Sequence, residues 1–465
     1  MFLKLDNTVD NLHEIIKPFN TIILVKPVQA AKTSDVLKII EHTYKTSVTI
    51  FLSDKNTALA GQTNKRSVGL GWKIKDFKDA NSPAEVYKFL GESVGKKRIA
   101  HFLMEVNNVS TLYMLLCAMT IPVTLVIDEG DRNRNVASSE DEDDEDMEET
   151  TLPPITRAIL ACKNVLKAKN NGSKTIFVTA TPQGLLVSEK EEDRLVIYKA
   201  PYLNYVGAGL NHEPDLKLVN SILHNACKVR DRWTGNAEDR YNNSYYSGLY
   251  QAVHAFETLE SKDTNIKQIM LVSLENRNRA QSLMAGFIRS EISIEQTNEI
   301  DVIIFNGETK DKNIPLLSDR IAASNKNKIV IVAGFMASRG VSFTDFSDAD
   351  NKFELVIQVH AAKKTDPLNS ALQNMRIFGP ARRTISRPIL FCNQITYRDV
   401  MYNFVELYRV IQDLAEGHKI INMGQYDSSR ILCQKYNFRY MRQGNYNSLL
   451  FESHDLSDHE PITTL

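Results

Sequence analysis

Residues 21–37, TIILVKPVQAAKTSDVL, decide how the rest of this chain reads. The run TIILV is continuously apolar or β-branched, the mark of a strand buried on both faces. From Thr33 the pattern changes to the 3.6-residue period of an amphipathic helix, TSDVLKIIEHTY. Between them lies a turn ending in Lys32 and Thr33. Strand, turn, Lys-Thr, helix is the layout of a phosphate-binding loop, because amides at the helix N-terminus face the phosphates and the helix dipole favours the anion. Lys32 then reaches the outer phosphates of a nucleoside triphosphate, and the Thr33 hydroxyl ligates magnesium. Gln29, Ala30, Ala31 and Ser34 complete the turn. Where such loops carry glycine before the lysine, this chain has Ala31, which puts a Cβ where the backbone must pass close to phosphate. Taken alone, the stretch also describes an ordinary helix N-terminus that happens to carry Lys-Thr.

Similar short apolar runs recur: VTIFL (48–52), IAHFLM (99–104), VTLVID (123–128) and TIFVTA (175–180). A second set follows: IMLVS (269–273), DVIIF (301–305), KIVIVAG (328–334), ELVIQV (354–359) and PILFC (388–392). Amphipathic stretches such as NRAQSLMAGFI separate them. Apolar strands alternating with helices predict two parallel sheets covered on both faces. The stretch 201–265, rich in Tyr, Asn and Gly (RYNNSYYSGLY), reads as a linker with a helical insertion. The tail, 401–465, opens with a helix (YRDVMYNFVELYRVIQDLAEG begins at Tyr397) and ends in a polar segment expected to fray.

Composition sets the bounds. The 465 residues are 43% hydrophobic and 24% charged, an ordinary globular balance with length for two or three domains. The five cysteines (Cys117, Cys162, Cys227, Cys392, Cys433) form no C-x-x-C pair, which argues against a zinc cluster and for a reducing compartment. The N-terminus has no apolar core of a signal peptide. The longest apolar run, Leu112 to Ile127, is broken by Thr120 and Pro122, so it reads as helix, turn and strand and not as a membrane span. The net charge of −1 hides a run of nine carboxylates between Glu140 and Glu149, without which the chain carries +8. That run, in a loop at about 137–151, is expected to be solvated and disordered, and it is a candidate contact for a protein partner.

Further candidate residues sit at strand ends. VTLVIDEGD delivers Asp128 and Glu129 at the carboxyl end of an apolar strand, where open α/β sheets bind ligands. Asp128 is the candidate magnesium ligand, and Glu129 the base that orients and deprotonates water. The next strand ends in VTATP (178–182), with Thr179 and Thr181. In the second set, GFMASRGVSFTDF (334–346) contains Ser338, Arg339 and Gly340, and QNMRIFGPARR (373–383) contains Gln373, Arg376, Arg382 and Arg383. Arginines there are candidates to stabilise transition-state charge on a γ-phosphate.

The order of these elements, from about residue 20 to 400, resembles the core of a superfamily 2 helicase or translocase. Lys-Thr, Asp-Glu and Thr-Ala-Thr stand in the order of its motifs I, II and III, and the two later stretches resemble motifs V and VI. More narrowly, the chain is similar to the divergent helicase-like (Z-one) family found beside MORC-type ATPases. That family's K-P-x-Q-x-G-K-T loop reads KPVQAAKT here, and its Asn-x-x-L-x-x-Q-T segment matches Asn56, Leu59, Gln62 and Thr63. Its K-N-x-x-x-L segment corresponds to EVNNVSTL, its D-E-A-D to Asp128–Asp131, and its later motifs to SRGVSF and MRIFG.

The resemblance implies an α/β protein with two RecA-like domains in tandem, 1–200 and 266–400, and an ATP cleft between them. It implies an ATP hydrolase of helicase or translocase type using ATP and Mg2+. Arg339, Gly340 and Gln373 would join the nucleotide site, and Arg376 and Arg382 would act as arginine fingers. Thr179 and Thr181 would couple the nucleotide to the nucleic-acid grip, for which Asn56, Thr57, Gln62 and Thr63 are candidates. Single- or double-stranded DNA is favoured over RNA as partner, with no membrane. The expected location is the cytoplasm, that of the host cell for a viral or phage replication protein, with the nucleus open. A competing reading is a non-catalytic helicase-fold clamp or scaffold, which Ala31 and the acidic run favour.

Overall fold

The computed structural model describes residues 2–4, 12–27, 32–53, 67–77, 83–128, 154–180, 182, 185, 194–198, 204–207, 213–219, 247–274, 278–306, 317–334, 353–361, 372–397, 401, 405, 439–443 and 446–450. The strand read first, β2 (Thr21–Val25), lies inside an eight-stranded sheet. With β1 (Phe2–Lys4), β3 (Val48–Ser53), β4 (Lys73–Asp76), β5 (Arg98–Leu103), β6 (Val123–Asp128), β7 (Lys174–Thr179) and β8 (Arg194–Tyr198), the order is β1-β8-β2-β7-β6-β3-β5-β4. Every pairing is parallel. Strands β2, β3, β6, β7 and β8 are buried along their whole length, as two covered faces require. The edge strand β4, KIKD, carries charge on either side of isoleucine and is partly exposed along its length.

Helices cover this sheet: α1 (Leu12–Ile16), α2 (Lys32–Ile40), α3 (Pro83–Gly91), α4 (Val106–Ala118) and α5 (Pro154–Lys169). From α2, Val36, Leu37, Ile39 and Ile40 pack on Ile22, Leu24, Val126 and Val178, while Lys38 faces solvent. The apolar run 112–127 resolves into the end of α4, a turn and β6. Among the described residues no helix is long and apolar enough to cross a membrane.

The chain divides into two compact units, the second running mainly over Tyr202–Leu407, while Tyr408–Leu450 groups with the first. The second holds a six-stranded parallel sheet of β10 (Asp215–Leu218), β11 (Lys267–Ser273), β12 (Ile300–Phe305), β13 (Lys328–Ala333), β14 (Phe353–His360) and β16 (Ile389–Cys392), in the order β10-β16-β14-β11-β13-β12. Its core joins α6 (Ser247–Thr258) and α7 (Asn278–Glu291) to the strands. A further helix, α8 (Leu317–Ala323), leads towards β13. A short antiparallel pair links β9 (Tyr205–Val206) to β15 (Gly379–Pro380). Two parallel α/β sheets in tandem are the architecture expected of paired RecA-like domains.

Two expectations change. The stretch 201–265 is more than a linker, because β10 is an edge strand of the second sheet and Leu249, Ala252, Val253 and Phe256 of α6 belong to its core. In the tail, β17 (Arg439–Gln443) and β18 (Tyr446–Leu450) pair as an antiparallel hairpin where fraying was expected.

Lysines tie helix ends to the sheets. Lys174, first in β7, donates to the carbonyls of Ile16 (2.9 Å), Lys17 (3.0 Å) and Phe19 (2.9 Å) at the end of α1. Lys267, first in β11, does the same for Ile321 and Ser324 at the end of α8, and Lys328, first in β13, donates to Glu257 in α6. In each case the ammonium caps the negative end of the dipole of the helix that leads towards the neighbouring strand. Burial lowers the pKa of all three, that of Lys174 to about 8.

Candidate nucleotide site

The site is built at the carboxyl ends of β2, β7 and β6, three consecutive strands of the first sheet. Val25 is in register with Thr179, and Val178 with Asp128. The Lys26 amide donates to the Thr179 carbonyl at 3.2 Å, extending the β2–β7 ladder one residue towards the loop. Two strand spacings, about 10 Å, separate the end of β2 from β6.

Helix α2 begins at Lys32. Lys32 and Ser34 are half-buried, and Thr33 is buried. Asp128 is 6% exposed and Thr179 fully buried. These residues therefore share one edge of the sheet, a helix N-terminus on one side and a strand-end carboxylate on the other. The half-buried Lys32 is a cationic partner for a phosphate chain, and two hard oxygen donors, the Thr33 hydroxyl and the Asp128 carboxylate, fit magnesium, which selects oxygen ligands. Gln29, Ala30, Ala31, Glu129 and Thr181 lie outside the described residues.

A buried ion pair spans this loop. The Lys26 ammonium, 4% exposed, donates to the Asp35 carboxylate, 5% exposed, in the first turn of α2. It pins the end of β2 to the helix and sets the span that residues 27–31 must cover. Sequence reading passed over both residues. The available signal was an ionisable pair flanking the motif, one member on the buried face of a helix.

In the second unit the 372–384 segment is laced to β14. The Gln358 side chain donates to the Asn374 carbonyl (2.7 Å) and accepts from the Ile377 amide (2.7 Å), bracketing Arg376. Glu354, fully buried, accepts from the Arg383 and Thr384 amides and from the Thr384 hydroxyl. Gln373 is fully buried and Arg376 is 3% exposed. The Arg382 guanidinium donates to the carbonyls of Leu355 (2.6 Å), Ile377 (2.8 Å) and Pro380, all within the second unit, and so ties β14 to the 377–382 segment. Glu354 and Gln358 were missed as positioning residues, although two polar residues within an otherwise apolar strand were a readable signal.

Ser338, Arg339 and Gly340, like Asn56, Thr57, Gln62 and Thr63, lie outside the described residues. Among the described residues no cluster of three or more His, Cys, Asp or Glu side chains suits a metal ion by itself.

No protein-family model matches the sequence, and no curated protein matches it. Solved structures similar to the chain include the Pyrococcus furiosus Hef helicase domain, at 13% identity and a TM-score of 0.39, covering 82% of this chain and 95% of that one. Another is the E. coli DExH-box NTPase HrpB, at 11% identity and a TM-score of 0.47, covering 83% of this chain and 42% of that one. The fold itself rests on the strand order and burial described above.

Proposed function

We propose that this chain is an ATP-driven helicase or translocase acting on nucleic acid, with DNA favoured over RNA and a viral or phage replication setting as its context. The observation that carries the reading is the sharing of one sheet edge by Lys32 and Thr33, at the start of α2, and Asp128, at the end of β6. A protein without nucleotide chemistry has no physical need for that combination.

In this reading Lys32 neutralises the outer phosphates, and the α2 N-terminus adds its dipole. Thr33 and Asp128 hold Mg2+, which when bound offsets the charge of the phosphates and polarises them. Glu129 orients and deprotonates the attacking water. Arg376, held by the Gln358 bracket around its backbone, and Arg383, the substitute for Arg382, are the arginine candidates for transition-state charge. Thr179 and Thr181 pass the nucleotide state to the nucleic-acid segment carrying Asn56, Thr57, Gln62 and Thr63. The narrower kinship with the family beside MORC-type ATPases rests on the quoted motifs alone.

The deciding experiment is ATP hydrolysis measured with and without single- and double-stranded DNA and RNA. Lys32-dependent turnover stimulated by nucleic acid supports the reading. A second reading, a non-catalytic clamp, is favoured by the use of Arg382 as an internal tie and by Ala31. Nucleic-acid binding with no Lys32-dependent turnover would establish it.

A further inference from the structure

Three loops at the amino ends of β3, β5 and β4 are knitted together around one buried ring. They are residues 41–47, between α2 and β3, residues 92–97, between α3 and β5, and residues 67–72, which lead into β4. The Gly95 amide donates to the Tyr44 carbonyl (3.1 Å), the Lys73 amide to the Lys97 carbonyl (2.9 Å) and the Trp72 amide to the Ser67 carbonyl (3.0 Å). Trp72, 1% exposed, is the floor: Tyr44 meets it edge-on with ring centroids 5.8 Å apart, and the Lys97 ammonium lies 5.9 Å from its centroid. These contacts hold the three loops as one surface, at the end of the sheet opposite the candidate nucleotide site.

That surface is apolar at its tips and cationic around them. Val68 is 61% exposed, Leu70 45% and Val94 37%. Gly71 and Gly95, at φ 83° and 72°, make the sharp turns beside them. Apart from chain neighbours, no atom lies within 4 Å of where a Cβ would stand on Gly69, Gly71 or Gly95, so both turns border open space. The three loops and the first residues of β4 and β5 carry Lys45, Lys73, Lys96, Lys97 and Arg98 against two carboxylates, Glu41 and Glu92. Lys97 pairs with Glu41, and Arg98 with Glu92 at 3.7 Å. Lys45, Lys73 and Lys96 are exposed and enter no ion pair among the described residues.

Exposed aliphatic tips ringed by unpaired lysines call for a partner that is both anionic and rich in hydrocarbon. A bare phosphate backbone gives Val68 and Leu70 nothing to bury against, and the ring best suited to stack on a base, Trp72, is closed off beneath. Protein interfaces draw on Tyr, Trp and Arg and are depleted in Lys. An anionic bilayer supplies both parts, because its headgroups attract the lysines and its acyl boundary takes the aliphatic tips. The expectation of no membrane rested on the lack of a spanning segment, which surface attachment does not need.

We propose that this end of the first sheet docks on an anionic phospholipid surface, with Lys45, Lys73 and Lys96 on the headgroups and Val68, Leu70 and Val94 entering the interface. None of these residues belongs to the candidate nucleotide site, so the proposal is independent of the nucleotide reading.

The test is flotation of the full chain with vesicles of phosphatidylcholine alone and of phosphatidylcholine mixed with phosphatidylserine, beside binding to soluble polyglutamate. The parent is expected to float with the phosphatidylserine vesicles only and to be released by salt. Lys45→Gln/Lys73→Gln/Lys96→Gln should lower the partition coefficient roughly a hundredfold, at about fivefold per lysine. Val68→Ser/Leu70→Ser should lower it roughly tenfold, the worth of withdrawing two partly inserted aliphatic side chains. Both variants alter exposed side chains and should keep the parental thermal midpoint. A parent that does not float with phosphatidylserine vesicles overturns the proposal, as does either variant floating as well as the parent. Loss in the lysine variant alone, with polyglutamate bound by the parent, would make the partner an acidic protein and overturn the lipid assignment. Should Val68→Ser/Leu70→Ser not fold, Val94→Ser makes the same comparison.

Discussion

The Lys26 ammonium and the Asp35 carboxylate are buried against each other across the turn that joins β2 to α2. Neither charge meets water, so each depends on the other. Removing one partner should cost roughly 3–5 kcal/mol, because the survivor stays buried without its opposite charge. Lys26→Met or Asp35→Leu alone should therefore lower the urea midpoint strongly. The double variant Lys26→Met/Asp35→Leu should recover most of the loss, since an apolar pair carries no desolvation penalty. Additive losses in the double variant would refute this account of the pair.

Lys32 lies outside that pair and is half-buried. Lys32→Ala should leave the urea midpoint near the parent value and abolish ATP turnover. Turnover equal to the parent would remove the phosphate-loop assignment.

Glu129→Gln keeps size and much of the hydrogen bonding but loses the base. Turnover should fall by roughly 10²–10⁴-fold while ATP and magnesium still bind, because the base acts on water and not on the phosphates. Single-turnover kinetics together with nucleotide binding separate the two effects.

Two arginines six positions apart are expected to behave differently. Arg382→Ala leaves carbonyls of Leu355, Ile377 and Pro380 without their donor inside the second unit, so it should show up as lost stability. Arg376→Ala should depress turnover beyond whatever its burial contributes to stability. Calorimetry and ATPase rates on both variants check the assignment, and an Arg382→Ala protein of parental stability would reverse it.

Burial holds the Lys174 pKa at about 8, below its ordinary 10.5. The folded state thus gives up this proton before the unfolded chain does. The cost of keeping the charged ammonium out of water is present below about pH 8 and is relieved as pH rises from there towards 10.5. Relative to Lys174→Met, the parent should gain stability across that window. Urea midpoints for both proteins as a function of pH measure the difference.

Cysteine chemistry offers a test of the core. Burial pushes the thiols of Cys162 and Cys392 up to about 12, whereas Cys117 is exposed. Iodoacetamide should label Cys117 in the native protein and reach Cys162 and Cys392 only on unfolding, since the thiolate is the reactive form. Peptide-resolved mass spectrometry reads each site separately.

All ten strands expected from apolar runs are present, for a simple reason: a strand covered on both faces must be apolar throughout, and such runs stand out. Two strands that escaped reading, β4 and β10, follow from the same physics. In β4 (KIKD) and β10 (DLKL) charge alternates with apolar residues because they are edges with one side near water. RLVIY of β8 is apolar and buried, and its omission has no such excuse.

Local order along the chain was enough to determine the parallel α/β class, the two-sheet organisation and the placement of Lys32, Thr33 and Asp128 on elements of the right kind. Each of these follows from periodicity or from a residue's distance in sequence from a strand end. Tertiary structure alone decided which charges are used internally. Lys26 meets Asp35 across a turn, Arg382 meets carbonyls from 2 to 27 positions away, and His101 joins Ser53 and Asp76 from two other strands. Such partners are selected by strand order and register, and a one-residue change of register would turn the strand residues Ser53, His101 and Asp76 to the opposite face.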